Sequence, residues 1–165
     1  IEDADSVTFC LSKGLSAPIG SVICGDERFI NKARRIRKAL GGGMRQAGII
    51  AAAGIVSLDK MIDKIQEDHD HAQVLVEGIL KIEGLSIDKD NIKSNILYFD
   101  INEGAQRSKK LFDQSNGKNQ YPFDIKLENV HFLETSPNRF RLVTHRGISK
   151  EDVLRTLIVF EKMVK

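Results

Sequence analysis

Apolar and polar positions along this chain follow two rhythms. Ser6 to Leu11 is β-branched and aromatic, and Ser21 to Cys24 repeats that texture after a loop of glycine, serine and proline, so both predict short strands. From Asp26 the period becomes helical. Phe29, Ile30, Ala33 and Ile36 share a face, Asp26 is a capping residue, and Arg34, Arg35, Arg37 and Lys38 crowd the last turns, where cations complement the helix dipole. Gly41 to Gly43 end that helix. The next stretch, MRQAGIIAAAGIVSL, is apolar nearly all round, which predicts a helix buried among other elements.

From Leu58 to Ile82 the pattern predicts one long amphipathic helix, with Met61, Ile65, Ala72, Leu75 and Ile79 on one side and the solvated run QEDHDH on the other. Beyond Gly84 the texture shortens. Strand-like runs at Ile92 to Ile101, Val130 to Thr135 and Phe140 to Thr144 alternate with a helix around Ala105 to Gln114. A closing helix from Ser149 opens on Ser149-Lys150-Glu151-Asp152, a capping-box variant, and sends Val153, Leu154, Leu157, Phe160 and Val164 inward. A polar tract around Ser115 to Gln120 predicts a flexible loop. The expected organisation is α/β: residues 1–58 as the end of a larger domain and residues 59–165 as a small α+β domain.

Composition narrows the function classes. With 165 residues, 41% apolar and 29% charged, the chain has the balance of an ordinary globular protein. A net charge of +2 asks for no polyanionic partner, so neither nucleic acid nor an acidic membrane is expected. The opening IEDADS is acidic where a secretory signal is basic and then apolar, and no run approaches the roughly eighteen apolar residues of a membrane helix. A soluble, cytoplasmic chain is the expectation. Cys10 and Cys24 fall in predicted strands and read as reduced, buried, small apolar residues. Ile1 stands just ahead of a strand that a parallel sheet would bury on both faces, which reads as a piece of a longer protein.

Several familiar chemistries are absent by spacing. GGGMRQAG has neither the phosphate-loop nor the dinucleotide-turn pattern. Asp68-His69-Asp70-His71 places ligand types one or two residues apart, on different helix faces, so no metal is expected. Ser12, Ser16 and Ser21 have no nucleophile elbow around them, and KARRIRK lacks any nucleic-acid-binding signature. Two residues stay open. Lys13, in the loop between the first two strands, is either a solvated loop lysine or a nucleophile. Arg141, inside the strand pattern FRLVTH, is either an edge-strand arginine or a two-pronged clamp for a carboxylate or phosphate.

DSVTFCLSKGLSAPIGSVICG, ARRIRKALGGGMRQAGIIAAAGI, QEDHDHA and RLVTHRGIS together resemble the low-specificity threonine aldolases, pyridoxal-phosphate enzymes of the β-eliminating-lyase group. The resemblance runs from Asp5 to the closing helix, with the Leu-Ser-Lys-Gly-Leu loop and the Gly-Gly-Gly-Met-Arg-Gln segment in the family's order and spacing. It implies fold type I, the aspartate-aminotransferase-like architecture. It also implies that Lys13 forms the Schiff base with pyridoxal phosphate, from a partly buried loop beside cationic groups. Arg141 is implied as the carboxylate clamp. Arg45 and Lys38 match basic residues near the cofactor phosphate, across a subunit interface; read as residues alone, they are equally the solvated cations of a helix end.

The implied reaction is aldol cleavage of threonine and related β-hydroxy amino acids to glycine and an aldehyde, in a homotetramer built as a dimer of dimers. Ile36 stands where the family often has an aromatic residue. The family's phosphate-cradling loop, pyridine-pairing aspartate and ring-stacking histidine have no counterpart among these residues, so the chain alone is expected to be inactive. β-Elimination or another reaction of the same superfamily, and a non-catalytic partner surface, are the alternatives.

Overall fold

The computed structural model describes residues 2–115, 117–118 and 120–164. Contacts divide the chain into two compact units, Ile1–Ile65 and Gln66–Lys165.

In the first unit, β1 (Ser6–Cys10) and β2 (Ser21–Gly25) form an antiparallel ribbon in which Phe9 faces Val22 and Val7 faces Cys24. The buried parallel strand expected at β1 is thus corrected. The loop 11–20 is shorter than the dozen or more residues a parallel crossover needs, so the chain can only turn back. One side of the ribbon packs Phe9 and Val22 toward Leu11, Leu15 and Ala17, while Cys10 and Cys24 are exposed instead of buried. Helix α1 (Glu27–Ala39) starts at Asp26, whose carboxylate accepts a 2.6 Å hydrogen bond from the Phe29 amide.

Helix α2 (Gly48–Lys60) occupies the alanine-rich stretch but buries only Gly54 and Ser57, and Ile49 is 85% exposed. All-round apolarity predicted a covered helix. A two-stranded ribbon offers too little surface to enclose it.

The expected long helix breaks at residues 61–64, where short turn bonds join Lys64 to Met61 and Ile65 to Ile62. Met61 and Ile65 pack on the Leu11 cluster of the first unit, whereas Ala72, Leu75 and Ile79 belong to the core of the second. A single apolar stripe in sequence therefore serves two cores.

The second unit contains α3 (Ile65–Ile79, counted from Gln66), β3 (Leu85–Ile87), β4 (Ile96–Ile101), α4 (Lys109–Ser115), β5 (Phe123–Leu127), β6 (Val130–Ser136), β7 (Arg139–Val143) and α5 (Lys150–Met163). Its five strands pair antiparallel throughout in the order β3-β4-β7-β6-β5. One face carries Leu97, Phe99, Ile101, Phe132, Phe140 and Leu142 into a core with α3, α4 and α5. Phe99 lies 5.3 Å from Phe140 and 4.9 Å from Phe160 between ring centroids. Each such ring contributes about 1.5–3 kcal/mol by leaving water. The opposite face is open, and Ile96, Tyr98 and Val143 are partly exposed there.

Helix α5 keeps its capping box, with Ser149 and Asp152 bonded reciprocally. Leu154, expected inward, is 49% exposed, because Val153, Val159, Phe160 and Met163 define the buried stripe. The strand expected from Ile92 begins only at Ile96. The polar tract 115–120 includes 116 and 119, which lie outside the described residues.

Candidate functional site

The loop that holds Lys13 is built by its apolar residues. Leu11, Leu15 and Ala17 turn inward, each at most 8% exposed, and Ser12, Lys13 and Ser16 are left outside. Three backbone bonds lock this arrangement. The Leu11 amide donates to Gly20 (2.9 Å), the Ala17 amide to Leu11 (2.9 Å), and the Ser16 amide closes a turn on the Lys13 carbonyl (2.8 Å). Ser16 has φ +59°, a conformation that costs a non-glycine residue about 1–2 kcal/mol and that the anchored neighbours impose. Gly20, with φ +125°, ends the loop at no such cost. Lys13 is therefore an exposed amine on a braced turn, more open than the partly buried setting expected, and it has no acidic partner among the described residues.

Lys38 stands in the last turn of α1, and the glycines after it decide where its chain lies. A Cβ at Gly43 would fall 2.6 Å from both Cδ and Nζ of Lys38, so glycine there lets the ammonium lie against the backbone. Arg45 follows two residues later, exposed, in the segment leading to α2. Neither is ion-paired among the described residues.

Arg141 is in the second unit, on the open face of the sheet. It pairs with Tyr98 of β4 on one side and with Leu133 of β6 on the other. It is half-buried, its Nε is buried without a hydrogen-bond partner, and no carboxylate pairs with it among the described residues. A guanidinium in that condition carries a desolvation cost that an incoming anion offsets. The strand end beyond it is fixed. Thr144 donates its hydroxyl to the Asp68 carbonyl (2.6 Å), and Asn95 donates its side-chain amide to the Thr144 carbonyl (2.6 Å).

Asp68, expected on a solvated face, is buried. Burial lifts its carboxyl above the ordinary value, against the pull of His145, His71 and His69. Tyr98 and Arg139 also belong to this neighbourhood, and sequence reasoning passed over both. The alternation of Ile96, Tyr98 and Asp100 placed them on one face, but nothing in the sequence stated the register that sets Tyr98 against Arg141.

The mixed α/β architecture is that of fold type I pyridoxal-phosphate enzymes. A solved structure assigned as an L-allo-threonine aldolase from Listeria monocytogenes superposes with a TM-score of 0.69 over 96% of this chain and 44% of that one, at 16% identity. More specifically, the β-eliminating lyase family model matches residues 1–102, and the chain belongs to that family. It is 41% identical over 99% of its length to a probable low-specificity L-threonine aldolase 2 of Arabidopsis thaliana, and 38% identical over 90% to the low specificity L-threonine aldolase of Escherichia coli K12. The chain spans 43% and 40% of the length of those two relatives.

Proposed function

We propose that this chain is the lysine-bearing portion of a pyridoxal-phosphate aldolase that cleaves threonine and related β-hydroxy amino acids to glycine and an aldehyde. The observation that carries the reading is the Lys13 turn: an exposed amine, unpaired among the described residues and braced by Leu11, Leu15 and Ala17, in a chain 41% identical to a probable threonine aldolase.

The donor set fits the cofactor. Lys13 would hold its aldehyde covalently, the one bond that needs a primary amine with room around it. Lys38 and Arg45 would meet its phosphate, where two cations without an ion pair among the described residues match a dianion. When bound, pyridoxal phosphate supplies an electron sink for the pair left as the substrate's Cα–Cβ bond breaks.

Arg141 takes the substrate α-carboxylate. A two-pronged grip on that group fixes the rotation of the amino acid, and with it which bond to Cα is aligned to break, so the clamp governs reaction type as well as affinity. The proposed assembly is a dimer of dimers with a small amino-acid substrate. Among the described residues no helix is long and apolar enough to cross a membrane, and a cytoplasmic setting is part of the proposal.

The test is product analysis of the full-length protein with pyridoxal phosphate and L-threonine. Glycine and acetaldehyde in equal amounts are expected. Ammonia with a 2-oxo acid, and no glycine, would replace the aldolase reading with elimination.

A further inference from the structure

Two arginines leave β7 on the same open face, and their surroundings differ. Arg139 is occupied: its Nε lies 3.9 Å from an Asp100 carboxylate oxygen, and its guanidinium carbon lies 5.7 Å from the centroid of the Tyr98 ring. Arg141, two residues on, has neither kind of partner among the described residues. Tyr98 is the residue directly opposite Arg141 in the strand pairing, and its ring reaches along the sheet to Arg139. Directly paired side chains on one face stand about 4.5–5.5 Å apart at Cβ. At that spacing the Tyr98 side chain borders Arg141 on the β4 side. Leu133 of β6 pairs with Arg141 from the other side.

We propose that Tyr98, backed by Arg139 and Asp100, is a positioning residue that holds the Arg141 guanidinium ready for a substrate carboxylate; this rests on the role proposed above for Arg141. A free arginine side chain loses up to about 2 kcal/mol of rotamer entropy when it is fixed. A wall that removes those rotamers before binding spares the complex that loss, which appears as affinity. The stack on Arg139 keeps the ring upright although it is 42% exposed, and Asp100 keeps Arg139 from folding away. The division of labour also explains why two arginines on one face make one anion site: Arg139 is committed to the ring and the carboxylate, leaving Arg141 to the ligand.

The experiment uses the full-length holoenzyme and glycine as probe, with the glycine dissociation constant read from the absorbance change of the bound cofactor. Tyr98→Ala is expected to weaken glycine about tenfold, equivalent to about 1.4 kcal/mol. Tyr98→Phe is expected to restore binding, since the ring and not the hydroxyl forms the wall. Arg139→Gln is expected to weaken glycine about threefold, and it serves as the reading if Tyr98→Ala does not fold.

Glycine binding within twofold of wild type in Tyr98→Ala, or in Arg139→Gln where that is the variant read, overturns the proposal, as does a Tyr98→Phe variant as weak as Tyr98→Ala. Arg141→Lys separates the two levels of argument. If it binds glycine normally, the clamp reading and this inference fall together; if it loses glycine while Tyr98→Ala does not, only this inference falls.

Discussion

Asp68 shows how one buried side chain sets a pH dependence at the residue scale. Its carboxyl is raised above 3.8 by burial, with His145, His71 and His69 acting in the opposite direction and Glu67 adding to the rise. The folded state then keeps the proton in a window where the unfolded chain has lost it. Stability from this group is complete below about pH 3.8 and declines as pH climbs through the raised value. Asp68→Asn, with no charge to bury, is expected to raise the thermal midpoint at pH 7 and to flatten the slope between pH 4 and neutrality. A midpoint at pH 7 equal to or below wild type would contradict this. Asp152 works the other way. Hydrogen bonds from the Ser149 amide and hydroxyl lower its carboxyl, so its contribution is present above pH 3.8 and fades as pH falls through the lowered value.

Among the elements, β6 depends on a charge in the core. Glu134 is fully buried on the face that packs against Phe140, and it accepts from Arg107 at 2.6 Å and from the Asn138 amide at 3.1 Å. Arg107 also donates to Ser115 at the end of α4 and lies 5.8 Å from the centre of the Phe140 ring. The pair thus joins α4, β6 and the turn into β7, the strand that bears Arg141. Arg107→Ala strands the carboxylate and is expected to cost about 3–5 kcal/mol in denaturant unfolding. The double variant Arg107→Met, Glu134→Leu is expected to recover most of that loss. A single variant within 1 kcal/mol of wild type would show that water reaches Glu134 and that the pair is not a structural link.

Elements were legible to the extent that each served one core. The Ser149 box and the helical period after Asp26 marked α5 and α1, because caps and dipole charges act locally. Phe123–Leu127 alternates apolar and polar residues and was readable as a strand, yet lay beside a polar tract and was passed over. Leu85–Ile87 is three residues long, below any periodic signal. Met61 and Ile65 matched the spacing of Ala72 and Leu75 but pack elsewhere, a distinction that exists only in three dimensions.

For the molecule as a whole, the family assignment reaches further than the fold of the second unit alone. An antiparallel five-stranded sheet under three helices is compatible with many functions. The specific signals lie in short motifs: the Lys13 loop, the triple glycine whose last member accommodates Lys38, and the strand arginine. These were legible because tight turns and close backbone approaches demand particular residues at particular positions. Tyr98 and Arg139 were not legible, because their meaning comes from pairing across strands distant in sequence.

The central claim is that the Lys13 amine bonds to pyridoxal phosphate. It is tested most directly by reducing the full-length holoenzyme with borohydride, digesting it and locating the pyridoxyl group by mass spectrometry. The account predicts the modification on Lys13 and a Lys13→Ala protein that binds no reducible yellow cofactor. A pyridoxyl group on a different lysine, with Lys13 unmodified, would contradict it.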